Sequence, residues 1–173
     1  VHATLERYDF AVFVSANAAE FGAPPAGAWP AHLVALAPGP GTAEALAALG
    51  IADTRVPATT FDSEGLLALP LLAELRGRRV VIFRGDGGRE HLADTLRARG
   101  GEVDYVACYR RAKPESGAAG LAEAFRDGRI HAVTITSSEL RTEARVGPTS
   151  AMPARKVVMA TTVETTPIPA TAR

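Results

Sequence analysis

The apolar positions of this chain fall into short runs separated by glycine, proline and hydroxyl residues, and the runs alternate between strand-like and helix-like spacing. Residues 10–14 form a continuous apolar run, rich in aromatic and β-branched side chains and short enough for a strand buried on both faces of a parallel sheet. Ser15 and Asn17 follow with helix-capping side chains. Pro24, Pro25, Gly27 and Pro30 mark a loop, after which residues 32–37 read as a second strand. Thr42 is placed as the N-cap of a helix over residues 43–49 that Gly50 stops. Ser63 opens another helix, with leucines at 66, 67, 69, 71, 72 and 75 and Pro70 kinking or dividing it. A third strand at 80–83 breaks into Arg84-Gly85-Asp86-Gly87-Gly88, and a helix from about 89 to 99 closes at Gly100-Gly101. The fourth strand, 103–109, leads into a polar connector ending at Pro114, and 121–125 reads as a short helix. Alternating strands and helices of this kind predict an α/β fold with a parallel sheet flanked by helices.

Part of that pattern is written twice. FAVFVSANA at 10–18 corresponds to AVTITSSEL at 132–140, Gly39-Pro40-Gly41-Thr42-Ala43 to Gly147-Pro148-Thr149-Ser150-Ala151, and Ala58-Thr59-Thr60 to Ala160-Thr161-Thr162. Repetition of whole supersecondary units in the same order predicts two similar lobes with a cleft between them. The second copy is shortened: the interval between Ser137 and Gly147 has no room for both the helix and the strand that the first copy carries there. One lobe is therefore expected to be incomplete.

Charge narrows the choice of partner. The 173 residues carry 19 Lys plus Arg against 19 Asp plus Glu, so no bulk electrostatic attraction favours nucleic acid or an anionic membrane. No run reaches the roughly 18 apolar residues of a membrane helix, and no charged-then-apolar signal pattern opens the chain, so a cytoplasmic protein is expected. The chain begins with Val1 and runs almost at once into a strand, so a fragment or an unusual start is expected. Cys108, the single cysteine, sits in an apolar stretch and is read as a buried, inert thiol.

The candidate chemistry lies where strands break into helices. Ser15-Ala16-Asn17, Gly39-Pro40-Gly41-Thr42, Arg84-Gly85-Asp86-Gly87-Gly88 and Thr136-Ser137-Ser138 share one design: small residues turn the chain and a helix begins with backbone N–H donors pointing outward. In a parallel sheet such turns gather at the carboxyl edge, where they accept carboxylates or phosphates without needing lysine. A dinucleotide fingerprint fits poorly, because Glu44 stands where the third small residue is wanted, and no phosphate-loop lysine occurs. His2, His32, His91 and His131 have no metal-ligand spacing, so no metal is expected. Arg84 and Arg89 flank a glycine turn and are candidates for carboxylate pairing. Tyr109 ends the fourth strand, where its phenol is either a packing group or a proton donor into the cleft.

Taken as a series, Tyr8-Asp9-Phe10 through Ala18, Gly39 to Ala43, 80–85, 105–109 and 134–138 resemble the uroporphyrinogen-III synthase family in order and spacing. The resemblance implies two α/β lobes joined by a two-stranded connector, with 8–109 the inserted lobe, 110–116 the connector and 117–173 a partial return to the other lobe. It implies a monomeric, cofactor-independent lyase that closes hydroxymethylbilane into uroporphyrinogen III with loss of water and inversion of the last ring. Tyr109 matches the tyrosine proposed to assist departure of the hydroxyl, and Ser15 and Ser137 match small hydroxyl residues facing the cleft from opposite lobes. The substrate contacts then fall to Ser15, Ala16, Asn17, Gly39, Gly41, Thr42, Arg84, Gly85, Gly87, Ser137, Ser138 and Thr149. Family members begin with a strand-helix-strand segment that has no counterpart here. The competing reading is a noncatalytic α/β module binding a small anionic ligand or nucleotide.

Overall fold

The computed structural model describes residues 2–25, 27–88, 90–112, 119–129 and 164–167. Contacts divide the chain into two units, one of Val1–Arg111 with Thr165–Arg173 and the other of Ala112–Glu164.

In the first unit, β1 (Phe10–Phe13) is the centre of a sheet whose order is β3-β2-β1-β4-β5-β6. Its members are β2 (Val34–Leu36), β3 (Thr54–Arg55), β4 (Arg79–Gly85), β5 (Glu102–Ala112) and, at the edge beside β5, β6 (Glu164–Pro167). The first five strands pair in parallel, as the unbroken apolar runs of β1, β2 and β4 predict. β1 lies between β2 and β4, so the chain builds outward on one side of β1 and then crosses to the other, which makes the carboxyl ends of β1 and β4 a topological switch point.

Two apolar layers hold the sheet. On one face Phe13 and Phe83 stack at 4.5 Å with their planes 4° apart, among Ala18, Ala19, Leu46, Val81, Cys108 and Tyr109. On the other, Val12, Leu36, Val80 and Ile82 meet leucines 66, 67, 72, 75, 92 and 96. The helices supplying these layers are α1 (Ala16–Gly22), α2 (Pro40–Ala48), α3 (Ser63–Leu67) and α4 (His91–Ala98). The second unit's described helix is α5 (Ala119–Arg126), followed by Gly128 at φ +65°.

Several boundaries differ from the expectation for physical reasons. Pro70 divides the leucine-rich stretch into α3 and a short 3-10 turn, Pro70–Leu72. Thr42 is not the N-cap of α2. Gly39 holds that position, Pro40 begins the helix, and Thr42 is buried within the first turn. Arg84 and Gly85 belong to β4, so that turn starts later than the sequence indicates. β5 continues through Arg110 to Ala112, into the stretch read as connector.

Candidate functional site

At the carboxyl edge the chain leaves β1 through Val14 and Ser15. Ser15 has the extended backbone of an N-cap (φ −163°), and its Oγ accepts the N–H of Ala18 at 3.1 Å, closing the first turn of α1. The same Oγ lies 3.1 Å from the hydroxyl of Tyr109, which comes from the far end of β5, with β4 between them. A serine hydroxyl has one proton and two lone pairs, so it serves both partners without conflict.

Tyr109 reaches this position because β5 carries a bulge. Arg84 pairs with Ala107, but Gly85 pairs with Tyr109, leaving Cys108 as the extra residue. Strict alternation would put Cys108 and Tyr109 on opposite faces; the bulge turns both into the layer containing Phe13 and Phe83. The ring then lies across Gly85. A Cβ there would stand 2.8 Å from Tyr109 Cε2 and 2.9 Å from Cζ, so glycine is the residue that admits the ring. The ring of Phe21 flanks it at 6.3 Å, and Tyr109 is 1% exposed. Cys108, beside it, donates to the carbonyl of Arg84 at 3.3 Å, and burial pushes its thiol up to about 11. It is a packing group rather than a nucleophile.

The helix starts at this edge differ in what they leave exposed. Ser15 caps α1 and Asp62 caps α3, through Oδ1 to the N–H of Gly65 at 2.9 Å. Neither α2 nor α4 has a side-chain cap. At α2 the first helical residue is a proline, which brings no N–H, so the uncapped donors are those of Gly41 and Thr42. Ala16 and Gly41 are exposed, and a Cβ at Gly41 would meet open space. Gly39 is half-buried against Phe61, itself 57% exposed. Asn17 lies in the first turn of α1.

Arg84 and the glycine turn behave as one assembly. The Arg84 side chain is buried, its Nε donates to the carbonyl of Gly87 at 3.0 Å, and its Nη1 meets Glu90 Oε1 at 2.9 Å. The Tyr105 hydroxyl donates to Glu90 Oε2 at 2.5 Å, and the Arg84 guanidinium lies 4.6 Å from the Tyr105 ring centre. The hydrogen bond from Tyr105 and the bond to Arg84 hold the Glu90 carboxyl below the usual carboxylate range. Sequence reasoning missed Glu90 and Tyr105. Their separation, one residue before α4 and one in β5, leaves no local pattern to find.

The sequence-derived set therefore separates. Ser15, Gly85 and Tyr109 come together at the switch point; Gly39, Gly41 and Thr42 lie at the start of α2; Arg84 and Gly87 lie at the β4 turn. Ser137, Ser138 and Thr149 are outside the described residues, as is the second copy of the repeat up to position 163. Among the described residues no cluster of His, Cys, Asp and Glu could hold a metal ion, and no helix is long and apolar enough to cross a membrane. An open depression of about 650 Å³ lies beside the C-terminal ends of α1 and α2, and it includes none of these side chains.

Comparison with known proteins gives a family. The model described as uroporphyrinogen-III synthase HemD matches residues 1–144. The uroporphyrinogen-III synthase of Salmonella typhimurium is 38% identical over 112 residues, which are 65% of this chain and 46% of that protein. The Proteus mirabilis enzyme of the same name is 45% identical over 83 residues (48% and 42%), and that of Escherichia coli K12 is 42% identical over 78 (45% and 32%). The chain spans less than half the length of these curated relatives.

Proposed function

This chain belongs to the uroporphyrinogen-III synthase family, and from that premise we propose that it acts in closing linear hydroxymethylbilane to uroporphyrinogen III. We read residues 8–109 as one lobe of the cyclase, with its substrate face at the carboxyl edge of the sheet. The observation that carries the reading is the Ser15–Tyr109 pair, 3.1 Å apart at the switch point over Gly85.

The reaction loses one water, inverts the last pyrrole ring and needs no redox partner. Tyr109 donates its phenolic proton to the terminal hydroxyl as the C–O bond breaks, leaving an azafulvene cation and water. The resulting phenolate is steadied by the Ser15 hydroxyl turned to donate towards it, while Ala18 N–H keeps Ser15 oriented. Attack at the substituted carbon of the last ring gives the spiro intermediate, and fragmentation and reclosure return the proton. Most of the advantage over spontaneous closure comes from holding the chain folded.

The substrate carries eight carboxylates. The uncapped donors of Gly41 and Thr42 at α2, and the glycine turn after β4, suit them. A net charge of zero is no obstacle, because the donors are backbone amides and hydroxyls. The substrate class is a small polycarboxylate tetrapyrrole, and the chain works as a monomer in the cytoplasm.

A coupled assay tests this: freshly generated hydroxymethylbilane is supplied and the I and III isomers are separated. Isomer III above the no-protein control supports the cyclase. Isomer I alone, with saturable binding of uroporphyrin, points instead to the noncatalytic binding module.

A further inference from the structure

Resting on that reading, we infer that Arg84 is a positioning residue, which aims the N–H of Gly88 outward as a donor for a substrate carboxylate. Its side chain is buried, so the guanidinium must be answered inside the protein. The answer is the Gly87 carbonyl at 3.0 Å, Glu90 at 2.9 Å and the Tyr105 ring at 4.6 Å. Glu90 is fixed in turn by the Tyr105 hydroxyl at 2.5 Å.

The consequence follows from the planar trans peptide. The carbonyl of Gly87 and the N–H of Gly88 belong to one peptide unit, and in a trans unit they point in opposite directions. Drawing the carbonyl down onto Arg84 turns the N–H up, away from the guanidinium. The glycines let the turn adopt this geometry. Gly87 and Gly88 sit at φ +80° and +125°, and a Cβ on Gly88 would come within 2.7 Å of Arg84 Nη2. Both glycines are exposed, at the carboxyl end of β4 beside the Tyr109 strand. The other end of the turn is tied to that strand as well, by Asp86 N–H to the Tyr109 carbonyl at 2.8 Å. A buried cation behind an outward N–H also makes that amide a better anion donor, and its own partners keep the arginine from reaching substrate itself.

The experiment is a titration of the ¹⁵N-labelled chain with uroporphyrin III, reading the Gly88 amide cross-peak. In the wild type it shifts saturably. In Arg84→Met, which keeps volume and removes the donors, the Gly88 shift is lost and binding weakens about tenfold or more, as for loss of a charge-supported hydrogen bond. Unmoved cross-peaks for Val81 and Ile82 establish that this variant is folded. Arg84→Lys restores charge without the fork and recovers binding in part. Should Arg84→Met not fold, Gly88→Ala displaces the same peptide, its Cβ pressing on Arg84 Nη2 while the charge itself is kept, and the same loss is expected. Arg97→Gln removes the other guanidinium near Tyr105, at 5.5 Å, and leaves binding within about twofold. A Gly88 amide that ignores uroporphyrin, or undiminished binding in Arg84→Met or Gly88→Ala, overturns the inference. Isomer III formed while Gly88 stays unmoved sinks this inference alone; a saturable Gly88 shift in a chain that yields only isomer I sinks the cyclase reading alone.

Discussion

Replacing Gly85 by alanine isolates the contact that seats Tyr109. The backbone of Gly85 is not in the left-handed region, so alanine meets no conformational penalty there. Its Cβ, however, would lie 2.8, 2.9 and 3.3 Å from Cε2, Cζ and the hydroxyl oxygen of Tyr109. Ordinary carbon contacts begin near 3.5 Å, so the ring must retreat by roughly 0.7–1 Å. It is fully buried beside Phe21, so the retreat strains its neighbours. Overpacking of this kind costs about 1–3 kcal/mol. Loss of the 3.1 Å contact with Ser15 adds about 1 kcal/mol, and the stiffer unfolded chain returns about 0.4–1 kcal/mol. The net is a destabilisation of about 1–4 kcal/mol, read in a thermal melt as a fall of roughly 2–16 °C. Isomer III formation should drop by about tenfold or more, because the phenol no longer stands where the hydroxyl leaves. Combining Gly85→Ala with Tyr109→Leu removes the clash, and the double variant should be less destabilised than the two single changes summed, a coupling of about 1 kcal/mol. An unshifted melting temperature with an unchanged III-to-I ratio would refute the claim that Gly85 seats the ring.

Tyr109→Phe keeps the ring and removes only the hydroxyl. Cyclisation should slow by about tenfold or more with little change in fold, and an undiminished rate would remove Tyr109 from the mechanism. Burial holds the Cys108 thiol near 11, so a disulfide reagent at pH 8 should label native protein slowly and unfolded protein fully; fast native labelling would contradict the packing of β5 on α1. The neutral thiol is the form the fold favours, so its contribution is complete below the unfolded value of 9.0 and is lost as pH rises towards 11, a loss that Cys108→Ser should abolish. Burial alone would raise the Asp9 carboxyl, but the N–H of Arg79 at 2.8 Å and the Arg78 guanidinium at 2.6 Å outweigh it and hold the group below its usual range. Its stabilisation is present above the unfolded value of about 3.9 and disappears as pH falls through the lower folded value. Asp9→Asn should therefore lower the melting temperature by a few degrees at pH 7 and less below pH 3, and a pH-independent difference would contradict the assignment.

Elements whose signal is local were legible in the sequence. Residues 10–14 lack any polar side chain, and glycine or proline bounds each long helix, so existence and order followed from periodicity and breakers. β3 was not legible, because Thr54–Arg55 is two polar-tipped residues whose only strand signal is its pairing with β2. The cap of α2 was misplaced because Thr42 looked the better capping residue, while the stronger cue was Pro40, which suits the first helical position. The bulge at Cys108 arises from the register between two strands and leaves no local mark. An arginine beside glycines reads as exposed; its burial depends on Tyr105 and Glu90 being brought to it. Ser15 and Tyr109 were each singled out as strand ends and by family resemblance, but their meeting, 94 positions apart, belongs to the sheet order.

The central position of β1 also sets a schedule for biosynthesis. Phe10 pairs with Val34 on one side and with Val80 on the other, so the ribosome makes the middle strand before either neighbour, and the second neighbour follows seventy positions later. At roughly 5–20 residues per second that interval lasts several seconds. Throughout it Val12 and Phe13, wholly enclosed in the finished sheet, have one strand edge unpaired on the nascent chain. Slowing translation between codons 36 and 85 would lengthen that window, and the yield of native protein should then depend on how well chaperones cover this one strand.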